Sequence, residues 1–287
     1  MIQKNYGFQS QEVVKAIDLI KMARDKDHAI FLSFTGNMIS SGLRSLICDL
    51  CKERKIEAVI TNGAGVEEDI IKTFGDYIPI NFDDMPEELL EKKIYRIGNV
   101  GVGHELYDKF ELFLCDYYKK AIELPDCDQT PGSISRELGN IRNDPKSFLY
   151  WAKRNNIEVF CPTFHDGAFG DFFVDYREQF PDYRVDFLYE NVKLTRLVRS
   201  FPKCGAVILG GGTPKHFTLN NSILRGGYDW TIRVSTSIPF DGSDSGGDSN
   251  EARSWGKLRL DGAGVEIFAD ATLVFPMIVK HGFEVGD

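Results

Sequence analysis

Short apolar runs, each ending in a glycine-rich or polar turn, recur along this chain and limit what it can fold into. The runs occupy residues 29–34, 57–61, 158–164, 205–209, 230–234 and 265–268. A strand, a glycine-rich turn and a helix that repeat in this order are typical of βαβ units, whose strands form a mostly parallel sheet. Since right-handed crossovers place helices on both faces of such a sheet, we expect an α/β fold.

We expect the whole chain, residues 1–287, to form a single domain of this kind. Of the 287 residues, 43% are hydrophobic, which is enough for one large core. Residues 76–144 are less regular, with helical patterns at 104–120 and 133–141, and we interpret them as an insertion at the edge of the same domain. No apolar run approaches the roughly 18 residues of a membrane span, so no membrane association is expected.

Charge and cysteine content exclude several functions. The formal net charge of −9 and the lack of a Lys/Arg stripe argue against nucleic-acid binding. Cys48 and Cys51 form a C-x-x-C, but they fall within a helical pattern and no second ligand pair has zinc spacing. We therefore expect helix packing there and no metal site. Four further cysteines are scattered and the first residues lack the order of a signal peptide, so a cytoplasmic protein is expected.

Polar or glycine-rich clusters follow most of the predicted strands. They are Asn37, residues 62–65, Asp166, residues 210–212, residues 241–246 and Asp270. In open parallel sheets, ligands bind beyond the carboxyl ends of the strands, where glycines and helix N-termini suit a pyrophosphate. A Rossmann-like, dinucleotide-binding sheet is therefore expected, although the fingerprint G-x-G-x-x-G is missing from the sequence.

The stretch 240–275 concentrates chemically active side chains. An acidic, glycine-rich loop leads into a short helical segment with Glu251, Trp255 and Lys257. Carboxylates pair with ammonium groups, an indole offers a cation–π face and a lysine can form a Schiff base, so the stretch suits a polyvalent cation. A solvated loop and a core tryptophan are the alternatives. At about 100° per residue Lys257 points away from the other two, so a common pocket requires a buried helix end or a break at Gly256.

Several motifs closely resemble those of one enzyme family, the deoxyhypusine synthases. They are Asp241-Gly242-Ser243-Asp244-Ser245-Gly246 with Ser254-Trp255-Gly256-Lys257, Leu209-Gly210-Gly211-Gly212 with Lys215-His216, Val66-Glu67-Glu68-Asp69, Asp166-Gly167 with Gly170-Asp171, and Ala269-Asp270-Ala271. The resemblance runs over residues 7–279, and the loop with its lysine is a highly specific motif.

The resemblance implies an NAD-dependent enzyme acting on spermidine. Such an enzyme transfers the aminobutyl group, through an imine with an enzyme lysine, to one lysine of the hypusine-containing translation factor precursor. Lys257 resembles the imine-forming lysine, and His216 resembles the base for the amine proton. A histidine titrates near neutrality, and Arg253, one helical turn before Lys257, would lower a lysine pKa. Without the resemblance, a capping or core role for His216 would be the simpler interpretation.

The resemblance also implies a homotetramer, with sites at a dimer interface, and it assigns binding residues. The residues similar to polyamine contacts are Asp171, Asp244, Glu251 and Trp255. Those similar to NAD contacts are Asn37, Ser40, Asn62, Glu68, Asp166, Gly211, Gly212, Ser245 and Asp270. Ala168, Phe217 and Arg253 depart from the family pattern, and we expect them to affect the fit of polyamine and acceptor.

Three alternatives remain at the level of the sequence. A homospermidine synthase would share the half-reaction at Lys257 and use putrescine or another small amine as acceptor. A sirtuin-like deacylase is suggested by residues 63–66, but the four-cysteine zinc module usual in that class is absent from the sequence. A catalytically silent binding scaffold is the third, and the presence of Lys257 and His216 argues against it.

Overall fold

The computed structural model of the protein describes residues 7–121 and 129–285. Its strands are β1 (Ala29–Phe34), β2 (Ala58–Ile60), β3 (Ile78–Pro79), β4 (Ile94–Ile97), β5 (Val100–Gly103), β6 (Glu158–Phe160), β7 (Cys204–Leu209), β8 (Tyr228–Ser235) and β9 (Leu258–Phe268). Its α-helices are α1 (Phe8–Asp25), α2 (Arg44–Lys52), α3 (Gly63–Ile71), α4 (Pro86–Glu91), α5 (His104–Ala121), α6 (Pro131–Arg142), α7 (Phe148–Asn155), α8 (Ala168–Tyr176), α9 (Phe187–Ser200), α10 (Gly212–Asn220), α11 (Ser249–Ser254) and α12 (Ala271–Ile278).

Six strands form the main sheet in the order β6-β2-β1-β7-β8-β9. Every neighbouring pair is parallel. By position along the chain this is the order 3-2-1-4-5-6 of dinucleotide-binding sheets, and it reverses between β1 and β7. The prediction of a mostly parallel α/β sheet is confirmed.

Helices cover both faces of this sheet, because side chains alternate along its buried strands. In β1, Ile30, Leu32 and Phe34 join a core shared with α1, α2, α3 and α12. Ala29 and Phe31 face the other way, into a second core with α9, α10 and α11. All six residues of β1 are buried, as expected of a central strand between two helical layers.

The insertion contains a small sheet that the sequence pattern did not reveal. The helical patterns at 104–120 and 133–141 are confirmed as α5 and α6, but β3, β5 and β4 form a separate antiparallel sheet between residues 78 and 103. Its strands have two to four residues, too few for a visible alternation. Since α5 packs against α3 and α8, the insertion supports the helices that follow β2 and β6.

Two strand boundaries differ from the expectation by more than two residues. β6 ends at Phe160, ahead of Pro162, which lacks the N–H that a ladder needs. β9 begins at Leu258 instead of residue 265, because its first half also pairs with β8. This half is polar and glycine-rich, so the apolar pattern did not reveal it. Lys257 therefore directly precedes a strand.

The C-x-x-C lies inside α2, as predicted. Cys48 and Cys51 are both buried, and burial raises the pKa of the Cys48 thiol to about 12. A helix-packing role is confirmed for this pair, while Cys127 lies outside the described residues. None of the helices within residues 7–121 and 129–285 is long and apolar enough to cross a membrane.

Candidate functional site

The carboxyl ends of β1 and β7 meet where the strand order reverses, the place at which open α/β sheets bind ligands. Gly210 has a φ of 88°, and a Cβ there would lie 2.9 Å from Thr35 Oγ1. Gly212, the first residue of α10, has a φ of 61°. Both conformations favour glycine. The turn thus starts α10 close beside the end of β1.

Ser40, Asn62 and Glu68 lie in the segments that follow β1 and β2. Ser40 Oγ donates to Glu68 Oε2 over 2.6 Å. The Asn62 side chain accepts from the Gly65 N–H at 3.3 Å and caps α3. Burial raises the pKa of Glu68 to about 7; the hydrogen bond from Ser40 opposes this shift, and neighbouring Glu67 adds to it. The structure thus joins two predicted NAD contacts, Ser40 and Glu68, and places the third, Asn62, at the start of the helix that carries Glu68.

Glu67 holds the beginning of α8, a role that the sequence did not reveal. Its Oε2 accepts from the Ala168 N–H at 2.6 Å. A Cβ at Gly167 would lie 2.5 Å from the same oxygen, so a larger residue there would displace the Glu67 carboxylate. Burial raises the pKa of Glu67 to about 7, although the N–H groups at the start of α8 lower it. Gly167, at the N-cap, has no side chain, and Glu67 supplies the missing acceptor from another helix.

The same contact fixes two predicted binding residues. Asp166 precedes α8 and Asp171 lies in its first turn, and both are exposed. After burial, the charges of Asp171 and Asp166 also raise the pKa of Glu67. Asn37 is also exposed at the carboxyl end of β1 and contacts Thr35.

Two buried cations hold the acidic loop after β8 by its carbonyl groups. Lys215 Nζ donates to the carbonyl oxygen of Asp244 and, over 2.9 Å, to that of Gly247. Arg233 donates to the Ser245 carbonyl over 2.9 Å. The carbonyl groups therefore point inward to the cations, while the Asp244 side chain stays exposed.

Ser245 ties this loop to the start of α10. Its Oγ accepts from the Gly212 N–H at 2.9 Å, and a Cβ at Gly211 would collide with it. Arg233 is in turn paired with Glu266 on β9. Three predicted NAD contacts, Gly211, Gly212 and Ser245, thus form one unit.

His216 is held between two side chains. Its Nδ1 lies 2.9 Å from Asp244 Oδ1, and its Nε2 lies 2.6 Å from Asn220 Nδ2. Because the Asn220 amide donates to Nε2, the ring proton sits on Nδ1 and is donated to Asp244. The side chains of His216 and Asp244 are 52% and 38% exposed, so this pair is open to solvent.

The helix that carries Glu251 ends before the lysine. Asp248 caps α11 by accepting from the Glu251 N–H at 2.9 Å. Gly256, with a φ of 68°, breaks the helix after Trp255. The break turns Lys257 so that its Nζ lies 5.8 Å from the Trp255 ring centroid. The break at Gly256 required for a common pocket is therefore present.

A small pocket, which we call the lysine pocket, is lined by Lys257, Trp255, Glu251, Asp244 and Lys215. It unites one predicted catalytic residue with three predicted polyamine contacts. Trp255 is 64% exposed, so one wall of the pocket faces solvent within a single chain. An exposed indole beside carboxylates can bind an ammonium group by cation–π and ionic contacts.

Lys257 and Asp270 lie at opposite ends of β9. The Tyr228 N–H, at the amino end of β8, donates to the Lys257 carbonyl, whereas Ser235 pairs with Phe268 at the carboxyl end. Asp270 caps α12, and its hydrogen bonds with Thr272 lower its pKa. The lysine backbone is therefore at the edge of the sheet away from the dinucleotide turn.

Apart from Asn37, after β1, and Asp270, at the start of α12, the predicted residues fall into two groups. One, around α3 and α8, holds Ser40, Asn62, Glu68, Asp166 and Asp171. The other, around α10 and α11, holds Gly211, Gly212, His216, Asp244, Ser245, Glu251, Trp255 and Lys257. Among residues 7–121 and 129–285, no hydrogen bond links these two groups.

The three departures have identifiable surroundings. Ala168 donates its N–H to Glu67. Phe217 packs against the core beneath α10. Arg253 donates to the Gly262 carbonyl over 3.0 Å, and so lies along β9.

Comparison with known proteins gives consistent matches along the chain. The model of the deoxyhypusine synthase family matches residues 2–281. A Pyrococcus abyssi protein named "Probable deoxyhypusine synthase" is 36% identical, over 95% of this chain and 86% of the relative. A Drosophila melanogaster protein of the same name is 38% identical, over 88% and 70%. A crystal structure from Entamoeba histolytica, described under the same family name, has a TM-score of 0.71 and 26% identity, covering 98% of this chain and 90% of that one.

Proposed function

The chain belongs to the deoxyhypusine synthase family, and on that premise we propose that it transfers the aminobutyl group of spermidine to a lysine of the hypusine-containing translation factor precursor. Family membership supports an aminobutyl-transferring enzyme of deoxyhypusine synthesis. NAD dependence, the imine at Lys257 and the residue roles below are the further content of the proposal.

The proposed cofactor is NAD, and the conformation and place of the turn before α10 support this proposal. Gly210 and Gly212 have positive φ angles and lie at the strand-order reversal. A glycine-rich turn before a helix N-terminus at this place favours a pyrophosphate. Ser40, Asn62 and Glu68 would line the adjoining wall. When bound, NAD supplies the acceptor for a hydride from the amine carbon and the donor that later returns it.

Lys257 is the proposed carrier of the aminobutyl group. Spermidine is an aminobutyl group joined through a secondary amine to 1,3-diaminopropane. Once the butyl carbon at that amine is oxidised to an imine, the neutral Lys257 amine adds to this carbon and 1,3-diaminopropane leaves. The acceptor lysine then displaces Lys257 from the same carbon by the same exchange. Each exchange breaks one C–N bond and forms another.

Asp244, Glu251 and Trp255 are proposed to hold the polyamine in the lysine pocket. The two carboxylates pair with ammonium groups, and the indole, already 5.8 Å from Lys257 Nζ, presents its face to a cation. This combination beside the lysine is the observation that carries the proposal.

His216 is proposed to take the amine proton. With Nδ1–H donated to Asp244, the receiving atom is Nε2, and the carboxylate stabilises the imidazolium that forms. Asn220 covers Nε2 at 2.6 Å, so the substrate amine has to displace this amide first.

We further propose that the site is completed in a homotetramer. Asp171 belongs to the group around α8, whereas the other polyamine residues surround α10 and α11. An imine-forming lysine must be desolvated, yet Trp255 is 64% exposed in one chain. A second copy that covers the lysine pocket and brings its own Asp171 would meet both requirements.

Borohydride trapping tests the imine. Incubated with NAD and spermidine and then reduced, the wild type should gain the mass of an aminobutyl group on the peptide containing Lys257, and Lys257→Ala should gain none. Lys203→Met, at an exposed lysine paired with Asp229 on the amino edge of the sheet, is the control and should be trapped like the wild type.

The acceptor is tested with labelled spermidine. Label should pass to the precursor protein; label found only in homospermidine, with putrescine as acceptor, would contradict the proposed protein substrate. A wild type that traps no adduct would contradict the transferase mechanism altogether.

A further inference from the structure

Lys215 is a buried ammonium group that has no role in the transfer chemistry as described. It is 3% exposed, and its Nζ donates to the carbonyl oxygens of Asp244 and Gly247. Burial lowers the pKa of Lys215, and the Asp244 charge opposes this shift. A buried ammonium group is costly unless it is hydrogen-bonded, and here two of its three N–H donors bind loop carbonyl groups.

Two adjacent residues of α10, Lys215 and His216, both form hydrogen bonds with Asp244 of the loop. Lys215 binds the main chain of Asp244 from the buried side, and His216 binds its carboxylate from the exposed side, 2.9 Å away. Asp244 lies in a loop of short polar and glycine residues, where few side chains anchor the backbone. The position of its carboxylate therefore depends on how its carbonyl is held.

We infer that Lys215 is a positioning residue, whose ammonium group clamps the Asp244–Gly247 loop so that the Asp244 carboxylate meets His216 Nδ1. This inference rests on the proposed function of His216 as the base. Two of the three N–H donors of Lys215 bind the carbonyl groups of Asp244 and Gly247, so the ammonium group is directed at the backbone of the loop.

Arg233 does not replace this clamp. It binds the Ser245 carbonyl over 2.9 Å and is itself paired with Glu266 on β9. Losing Lys215 leaves the carbonyls of Asp244 and Gly247 without that donor, while Ser245 remains tethered. The loop should then pivot about Ser245, and the carboxylate should move relative to the imidazole.

The test compares Lys215→Met, which keeps the apolar stem and removes the ammonium group, with Lys215→Arg, which keeps a cationic donor. Amide hydrogen exchange of the peptide around residues 243–249 measures how firmly the loop is held, and it does not depend on enzyme activity. The amides of Gly246 and Gly247 are hydrogen-bonded inside the loop, so their exchange should rise about tenfold in Lys215→Met and less in Lys215→Arg. Lys203→Met should exchange like the wild type. Unchanged exchange in Lys215→Met overturns the inference, even if the enzyme proves to have another activity.

A double-mutant cycle tests whether Lys215 acts through Asp244. The rate of 1,3-diaminopropane release should fall roughly a hundredfold in Lys215→Met, since small misplacements of a catalytic group have effects of this size. In an Asp244→Asn background the same substitution should change the rate less than about twofold. Equal losses in both backgrounds, or a wild-type rate in Lys215→Met, would overturn the inference. If the wild type releases no diaminopropane, the proposed function fails, and the exchange measurement alone decides the clamp.

Discussion

At the scale of residues, the carboxyl groups that matter most are those removed from water. Glu67 and Glu68 are neighbours on α3, and burial raises the pKa of each to about 7. Glu67 nonetheless accepts a hydrogen bond from the first N–H of α8. One side chain thus combines a structural bond with a proton that is exchanged near neutral pH.

Glu67→Gln should remove part of the pH dependence of stability. The folded pKa of Glu67, about 7, exceeds its ordinary value, so its contribution is present below roughly pH 4.5 and is lost as pH rises to about 7. The free energy of unfolding of the wild type should therefore fall across this window, by up to about 3 kcal/mol from this group. Glutamine keeps the acceptor for Ala168 and does not ionise, so the variant should lose that part of the slope.

Urea titrations at several pH values measure this slope. Glu88→Gln, at a largely exposed glutamate on α4, is the matched control and should keep the wild-type slope. An unchanged slope in Glu67→Gln would contradict the assignment.

At the scale of elements, acids from one helix repeatedly cap another. Glu67 caps α8, Asp69 accepts from the Phe148 N–H at the start of α7, and Glu190 accepts from the Gly132 N–H in α6. In α8 this bond takes the place of a local side-chain cap, whereas in α6 and α7 it adds to the local caps Thr130 and Ser147. Each bond joins a helix start to a distant element, so the helix positions depend on each other. Because α3 supplies two of the three acids, it organises this side of the molecule.

Asp69→Ala should be among the most destabilising single substitutions. Asp69 is fully buried and also binds Arg44 at 2.7 Å. Its loss removes the carboxylate that neutralises this buried guanidinium and leaves two backbone donors of α7 without their acceptor. The expected cost is about 3–5 kcal/mol in chemical denaturation. Asp18→Ala, at an exposed position of α1, should cost less than about 0.5 kcal/mol.

Gly256→Ala should disturb the lysine more than the fold. A φ of 68° costs an alanine about 1 kcal/mol, and relief of that strain would re-aim Lys257. We expect a clear loss of borohydride-trapped adduct. Gly98→Ala, at a φ of 60° in the hairpin between β4 and β5, carries the same strain and should be trapped normally. Equal trapping in both variants would contradict a role for the break.

How much the sequence could predict also depends on the element. β1 and β7 are central and wholly buried, so their apolar runs stand out. The first half of β9 and the two- to four-residue strands of the insertion are polar or short, and only pairing with neighbours defines them. The site residues named from the sequence rest on family motifs. The sequence did not predict the contacts of Lys215, Glu67 and Asn220. The partners of Lys215 and Glu67 lie in other elements. Asn220 and His216 are four residues apart on α10, a spacing that many other pairs share.

At the scale of the whole molecule, the two groups of predicted site residues bear on the proposed assembly of several copies. Asp171 and Lys257 stand on different parts of one chain. The packing of α5 on α3 and α8 supports the proposal that the insertion belongs to the same domain as the sheet. In the proposed homotetramer, another copy would cover the open side of the lysine pocket, where Trp255 is exposed.

Mixing two inactive variants tests this arrangement. Lys257→Ala and Asp171→Asn should each lack transfer activity, and subunit exchange between them should restore about a quarter of the wild-type sites. Half of randomly formed dimers are mixed, and one of the two sites in each would be intact. Mixing two preparations of Lys257→Ala is the control. No recovery after verified exchange would place both residues in the same chain's site.

Because Trp255 is exposed, its fluorescence can report whether another surface covers it. Of the three tryptophans, Trp230 is buried, at 1% exposure, and Trp151 is partly buried, whereas the Trp255 indole is mostly in water. Its fluorescence emission should therefore be red-shifted in an isolated subunit and move to shorter wavelength when the indole is covered. A dilution series followed by emission spectra would then record coverage of this one ring, with no label attached.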